Sequence, residues 1–79
     1  MDCVLYVPDL GTYVKSCDTD ANDGRGSFTF ADDINEALHF DGFISAMDYW
    51  KRQSTITPFR PDGKPNRPLT SFTVIPTKV

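Results

Sequence analysis

Histidine occurs once, tryptophan once and cysteine twice in these 79 residues. The side chains that most often transfer protons, attack carbonyls or hold metals are therefore scarce. Two cysteines and one distant histidine do not make the four-ligand set of a zinc site. No Gly-rich phosphate loop, G-x-S-x-G or H-E-x-x-H is present, so neither an enzyme nor a cofactor is expected. No apolar run approaches the roughly 20 residues that span a bilayer, and no basic start leads into an apolar signal stretch. A large net charge is missing too, at −3. These absences leave a soluble, cytoplasmic protein.

What is present is enough to fold. Apolar residues make up 39% and aromatics 13%, too many for a chain that stays disordered because it has little to bury. One small α+β domain fits in residues 1–79, with a thin core: a domain of this size buries roughly 60–65% of its unfolded surface. The charge is divided along the chain. Residues 1–48 carry ten acids and two bases, a balance of −8, and residues 49–79 carry six bases and one acid, a balance of +5. Ten of the eleven acids are Asp, which favours turns and helix starts. Either the two halves attract each other on folding, or an acidic face is offered to a basic partner, where charge sets encounter rate and partner choice.

Asp2–Val7 alternates and is rich in Val, Leu and Tyr, which reads as a strand. Pro8-Asp9-Leu10-Gly11 supplies a turn, and Thr12–Ser16 returns to complete a hairpin. Cys17–Gly26 is a loop by composition, and Ser27–Phe30 a short strand. Asp33-Ile34-Asn35-Glu36 has capping-box spacing, with Ile34, Ala37 and Leu38 on one helical face. A second helix is expected over Phe43–Gln53, with Phe43, Met47 and Trp50 as a stripe, Ile44 and Ala46 beside it, and Lys51 and Arg52 in its last turn. The prolines at 58, 61, 65 and 68 exclude further helix. Leu69–Ile75 alternates as a last strand, which Pro76 stops or confines to an edge. The order β-β-β-α-α-β predicts a small antiparallel sheet of about four strands with two helices on one face.

Asp18-Thr19-Asp20-Ala21-Asn22-Asp23-Gly24 opens like an EF-hand calcium loop. Asp23 stands where the sharp-turn glycine belongs and Thr29 where a bidentate Glu is needed, so a solvated acidic connector is expected instead. Cys3 and Cys17 face each other if hairpin positions pair to a sum of twenty, and are separated at nineteen or eighteen. As buried thiols in a reducing compartment they act as small hydrophobes. His39 lies near a helix end as a surface or interface residue. Asp32 and Asp33 are adjacent, about 100° apart on a helix, and serve as caps rather than as an acid/base pair. The segment Pro58–Leu69 gathers Arg60, Lys64 and Arg67 with Phe59 on a stiff backbone, a pattern able to hold phosphates and stack a base. The acidity of the first half works against nucleic acid there.

The run FTFADDINEALHF, then AMDYWKRQS, then PFRPDGKPNRPLTSFTV resembles small proteins of phage and prophage genomes over roughly residues 27–75. Such proteins are similar in kind to anti-CRISPR and other anti-defence inhibitors. The resemblance implies a non-catalytic inhibitor that occupies a nucleic-acid-binding site on a host complex, most plausibly a CRISPR effector subunit, as a monomer or weak homodimer. The contact residues expected are Asp18, Asp20, Asp23, Asp32, Asp33 and Glu36, with Tyr49 or His39 beside them. The alternative is a small nucleic-acid-binding or regulatory protein using Arg60, Lys64 and Arg67.

Overall fold

Val7 and Thr12 close the first hairpin. In the computed structural model, which describes residues 2–79, β1 (Cys3–Val7) and β2 (Thr12–Asp18) are antiparallel. Tyr6 lies opposite Tyr13 and Val7 opposite Thr12. The intervening turn forms because the N–H groups of Leu10 and Gly11 both donate to the Val7 carbonyl, at 3.1 and 2.9 Å. Paired positions sum to nineteen, so Cys3 and Cys17 do not meet, and both thiols are free.

β3 (Ser27–Ala31) pairs antiparallel with β2, from Tyr13 opposite Ala31 to Asp18 opposite Ser27. A bulge between Val14 and Ser16 shifts the register. The extra residue resets the alternation, so that Val14 and Cys17, three apart, both turn to the core opposite Phe30 and Phe28. Beyond its first two pairs, the hairpin is parted by residues 37–40. Leu38 N–H donates to the Val14 carbonyl at 3.1 Å, while Phe40 and Cys3 exchange both backbone bonds, at 3.0 and 2.8 Å. That wedge explains why the expected helix at Ile34–Leu38 is only a single 3-10 turn, Ile34–Glu36. The backbone just after it is committed to β1 and β2. Asp33 begins the turn by accepting the Asn35 N–H at 2.9 Å rather than through a reciprocal capping box.

The chain is α+β, with a four-stranded antiparallel sheet in the order β3-β2-β1-β4 and two helices. One helix, α1 (Ala21–Gly24), is a short turn in the expected Asp-rich loop. The other, α2 (Phe43–Trp50), ends before Gln53. Its Ala46 is fully buried, and Tyr49 and Trp50 pack on the core formed by Leu5, Val7, Val14 and Leu69. Phe43 does not join them as the helical stripe predicts. It is 62% exposed, because the face that meets the sheet runs through Ala46, Tyr49 and Trp50 instead.

The last strand also lies elsewhere than the alternation of Leu69–Ile75 suggests. Pro68–Ser71 is a 3-10 turn, and β4 is Ile75–Lys78, antiparallel to β1. Phe72 still reaches the core: its ring meets Phe28 and Phe30 edge-on at 5.2 and 5.4 Å, and its carbonyl accepts the Trp50 indole N–H at 3.1 Å. The segment therefore contributes Leu69, Phe72 and Val74 to the core without forming a strand, while Ser71, Thr73 and Ile75 are exposed. Pro76 is on an edge strand, as a proline in a sheet requires.

Candidate functional site

Sheet register gathers one group of acids. The β1–β2 turn holds Asp9, and Asp32 directly follows Ala31, the β3 residue opposite Tyr13 at the start of β2. The strands concerned are neighbours about 4.8 Å apart, so Asp9, Asp32, Asp33 and Glu36 share one end of the sheet. All four are exposed. Among the described residues the one ion pair is His39 Nδ1 with Asp2 Oδ2, at 3.4 Å. Among the described residues no Lys or Arg nitrogen lies within 4 Å of a carboxylate oxygen of these four acids. The attraction expected between the two halves of the chain is thus not expressed as direct ion pairs with these acids. Asp9 escaped the sequence reading because only the pairing of three strands brings it to Asp32.

The other three expected contact acids lie apart. Asp18 is opposite Ser27, at the far end of β3 from Asp32, about 17 Å away at the usual rise per residue. The loop that follows is packed rather than a solvated connector. The Asp20 carboxylate accepts from Thr55 Oγ1 at 2.6 Å, Thr55 N at 2.7 Å, Ser54 Oγ at 3.0 Å and Ile56 N at 3.4 Å. The Thr55 hydroxyl and N–H, followed by Ser54 and Ile56, hold its carboxyl below the usual range, with burial opposing them. Asp18 Oδ1 in turn accepts the Asp20 N–H at 3.0 Å. These oxygens face N–H and O–H donors, an arrangement of caps rather than of cation ligands.

Within α1, Asn22 and Asp23 are left-handed, at φ +53° and +58°. These two residue types bear that conformation best because their short polar side chains bond locally. Here Asn22 Nδ2 donates to the Gly26 carbonyl at 3.1 Å. Distant residues pin the turn: Thr57 Oγ1 donates to the Asp23 carbonyl at 3.0 Å and Asn66 Nδ2 to the Gly24 carbonyl at 2.7 Å. Gly24 is needed at this contact. Its φ is +88°, and a Cβ there would stand 2.5 Å from the Thr57 Cβ.

Of the predicted basic residues, Arg60 and Lys64 sit on a small hairpin and Arg67 lies beyond it, immediately before the turn Pro68–Ser71. Phe59 bridges Pro65, Arg60 N–H donates to the Lys64 carbonyl at 2.8 Å, and Gly63 closes the turn onto Arg60 at 2.9 Å. Directly opposed residues share a face, so Arg60 and Lys64 lie together with Phe59 on the reverse. Arg60, Lys64 and Arg67 are all exposed, as is Phe59. Asp62 Oδ1 is turned inward onto the Lys64 N–H at 3.0 Å.

The remaining candidates are bound into the fold. Both His39 nitrogens face acceptors, Nε2 meeting the Ile34 carbonyl at 3.1 Å and Nδ1 the Asp2 carboxylate. The ring therefore ties the 3-10 turn to the start of β1. The Tyr49 hydroxyl accepts the Cys17 N–H at 2.9 Å, and Arg52 lies 4.8 Å over its ring. Burial pushes the Cys17 thiol up, Arg52 opposing and Asp18 adding to the rise. Cys3 is buried. Among the described residues no group of three or more His, Cys, Asp or Glu is placed to hold a metal, and no helix is long and apolar enough to cross a membrane. Compared with known proteins, the chain matches no family model, no curated protein and no solved structure.

Proposed function

We propose that this chain is a non-catalytic, phage-type inhibitor acting in the host cytoplasm, whose acidic end occupies a nucleic-acid-binding surface of a defence complex such as a CRISPR effector. The observation that carries the reading is the end of the sheet bearing Asp9, Asp32, Asp33 and Glu36, exposed and without a Lys or Arg partner within the fold. Lysines and arginines that otherwise hold phosphates supply the missing partners, and such complementarity acts mainly on association rate. Asp20 contributes by shaping its loop, since its oxygens are engaged by Ser54, Thr55 and Ile56.

The test begins with capture of a partner from host lysate and its titration with the chain. Reversing Asp9, Asp32, Asp33 and Glu36 to Lys together is expected to weaken binding by about 10- to 100-fold, taking each exposed pair at less than 1 kcal/mol. Unchanged binding and inhibition in that variant rules the mechanism out. The opposed Arg60 and Lys64, with Phe59 exposed behind them, favour one rival: direct binding of single-stranded nucleic acid by the hairpin. A gel-shift titration at two salt concentrations separates the two readings, since phosphate contacts weaken steeply with salt.

A further inference from the structure

Exposed apolar side chains line the β4 edge of the sheet. Ile75 is 49% and Val79 52% exposed, and Phe43 and Ile44 stand out at the start of α2. Between Phe43 and the strand lies a cavity of about 300 Å³, floored by Cys3 and Pro76, with Asp2, Asp41 and Lys78 at its rim.

The backbone of this edge has a definite polarity. Val79 N–H donates to the Asp2 carbonyl at 3.1 Å, whereas Cys3 gives both its backbone groups to Phe40 on the opposite side. Ladder bonds between β1 and β4 therefore fall at Val79, Thr77 and Ile75. Pro76 and Lys78, opposite Leu5 and Cys3, occupy the alternate positions. Their backbone polar groups point away from the sheet. Pro76 offers only a carbonyl, and Lys78 an N–H and a carbonyl. By the alternation of side chains, Pro76 and Lys78 lie on the face that carries Leu5 and Cys3, and Ile75, Thr77 and Val79 on the opposite one, where Ile75 and Val79 are about half exposed.

The geometry points to a two-fold dimer of this chain, in which β4 pairs antiparallel with β4 of a second copy, Thr77 opposite Thr77 on the axis. In that register the Lys78 N–H donates to the Pro76 carbonyl of the other copy, twice by symmetry, while the return bond of each pair, onto the Lys78 carbonyl, is lost because Pro76 has no N–H. Ile75 falls opposite Val79 at both ends of the seam, so the two exposed β-branched side chains cover each other. On the other face each Lys78 lies opposite the other copy's Pro76, beside a cavity rimmed by Asp2 and Asp41. Neighbouring registers are worse. Pro76 opposite Pro76 leaves its central pair with no bond and sets Ile75 against Thr77 instead of Val79, and Lys78 opposite Lys78 sets like charges together while leaving Ile75 bare. The surface is complementary to itself in its apolar side chains and in the Lys78 donor that meets the Pro76 carbonyl, as a two-fold interface must be.

Sedimentation equilibrium of the full chain tests this. The mass is expected to rise from 8.9 kDa toward twice that value as concentration climbs to about 1 mM, the range in which a weak dimer fills. Lys78→Pro removes both seam donors without touching a bond to β1, and is expected to weaken the dimer at least about tenfold. Ile75→Glu is expected to abolish the dimer, and Ile75→Glu with Val79→Lys to restore it in a salt-sensitive form. The double variant also decides the matter if Lys78→Pro fails to fold. A chain that stays at 8.9 kDa throughout, a dimer indifferent to Lys78→Pro, or failure of the charge pair to restore association overturns the proposal.

Discussion

Gly24→Ala is expected to remove a large part of the stability of this protein through a contact more than thirty residues away in sequence. The backbone at 24 has φ +88°, a left-handed value that costs an L-residue about 1–2 kcal/mol. The new methyl would then stand 2.5 Å from the Thr57 Cβ and 2.8 Å from its Oγ1. Relieving such an overlap costs about 1–3 kcal/mol. It also moves the two side chains that pin this turn, Thr57 on the Asp23 carbonyl and Asn66 on the Gly24 carbonyl, at about 1 kcal/mol each. The expected loss is about 4–7 kcal/mol, against a total of about 4–12 kcal/mol for a chain of this length.

Urea unfolding followed by the fluorescence of Trp50, the only tryptophan, measures this with the midpoint and slope separated. Gly11→Ala is the control. It shares a positive φ, +66°, but a Cβ there meets nothing within 4 Å, so only the backbone part of about 1–2 kcal/mol is expected. The gap between the two variants is the value of the docked loop. Equal losses would falsify the claim that the Asp-rich loop is packed against Thr57.

Three further outcomes follow from the hydrogen bonds. The Asp20 carboxyl is held below its ordinary value by Thr55, so the unfolded chain takes up that proton more readily. Asp20 therefore contributes its full share of stability above about pH 5 and loses it as pH falls through the folded value; Asp20→Asn should flatten this acid limb in urea titrations run at stepped pH. Tyr49→Phe strands the part-buried Cys17 N–H, at an expected cost of about 1–3 kcal/mol in the same unfolding assay. Both thiols should react slowly with a disulfide reagent at neutral pH, Cys3 because it is buried and Cys17 because burial keeps it protonated. Fast labelling of Cys17 before unfolding contradicts that placement.

Local chemistry made part of this fold legible. Pro8-Asp9-Leu10-Gly11 announces its turn, the strands either side alternate, and Ser27–Phe30 falls one residue short of β3. Where a segment's partners are distant, the pattern misleads. Cys17–Gly26 looks solvated because it is polar, yet its anchors, Ser54, Thr55, Thr57 and Asn66, lie far along the chain. Ile34–Leu38 has helical spacing, but the claims of Val14 and Cys3 on Leu38 and Phe40 override it. The alternation at Leu69–Ile75 places Phe72 and Val74 toward the core, but the other face does not hold together, with Leu69 buried and Ile75 exposed, and the strand begins only at Ile75. At the acidic end, Asp32, Asp33 and Glu36 are readable as a cluster, whereas Asp9 joins them only through sheet register.

The placing of β1 between β2 and β4 also bears on how the chain reaches its fold. The first hairpin is local and closes in about 1–10 μs. The other side of β1 waits for Ile75–Lys78, and closing so long a loop forfeits chain entropy before any contact repays it. A high contact order of this kind slows folding, so β1 is bare along one side in the chain that has yet to fold. At high concentration refolding should then compete with aggregation, and an excess of a peptide matching residues 72–79 should delay the native state by occupying the place that β4 later takes.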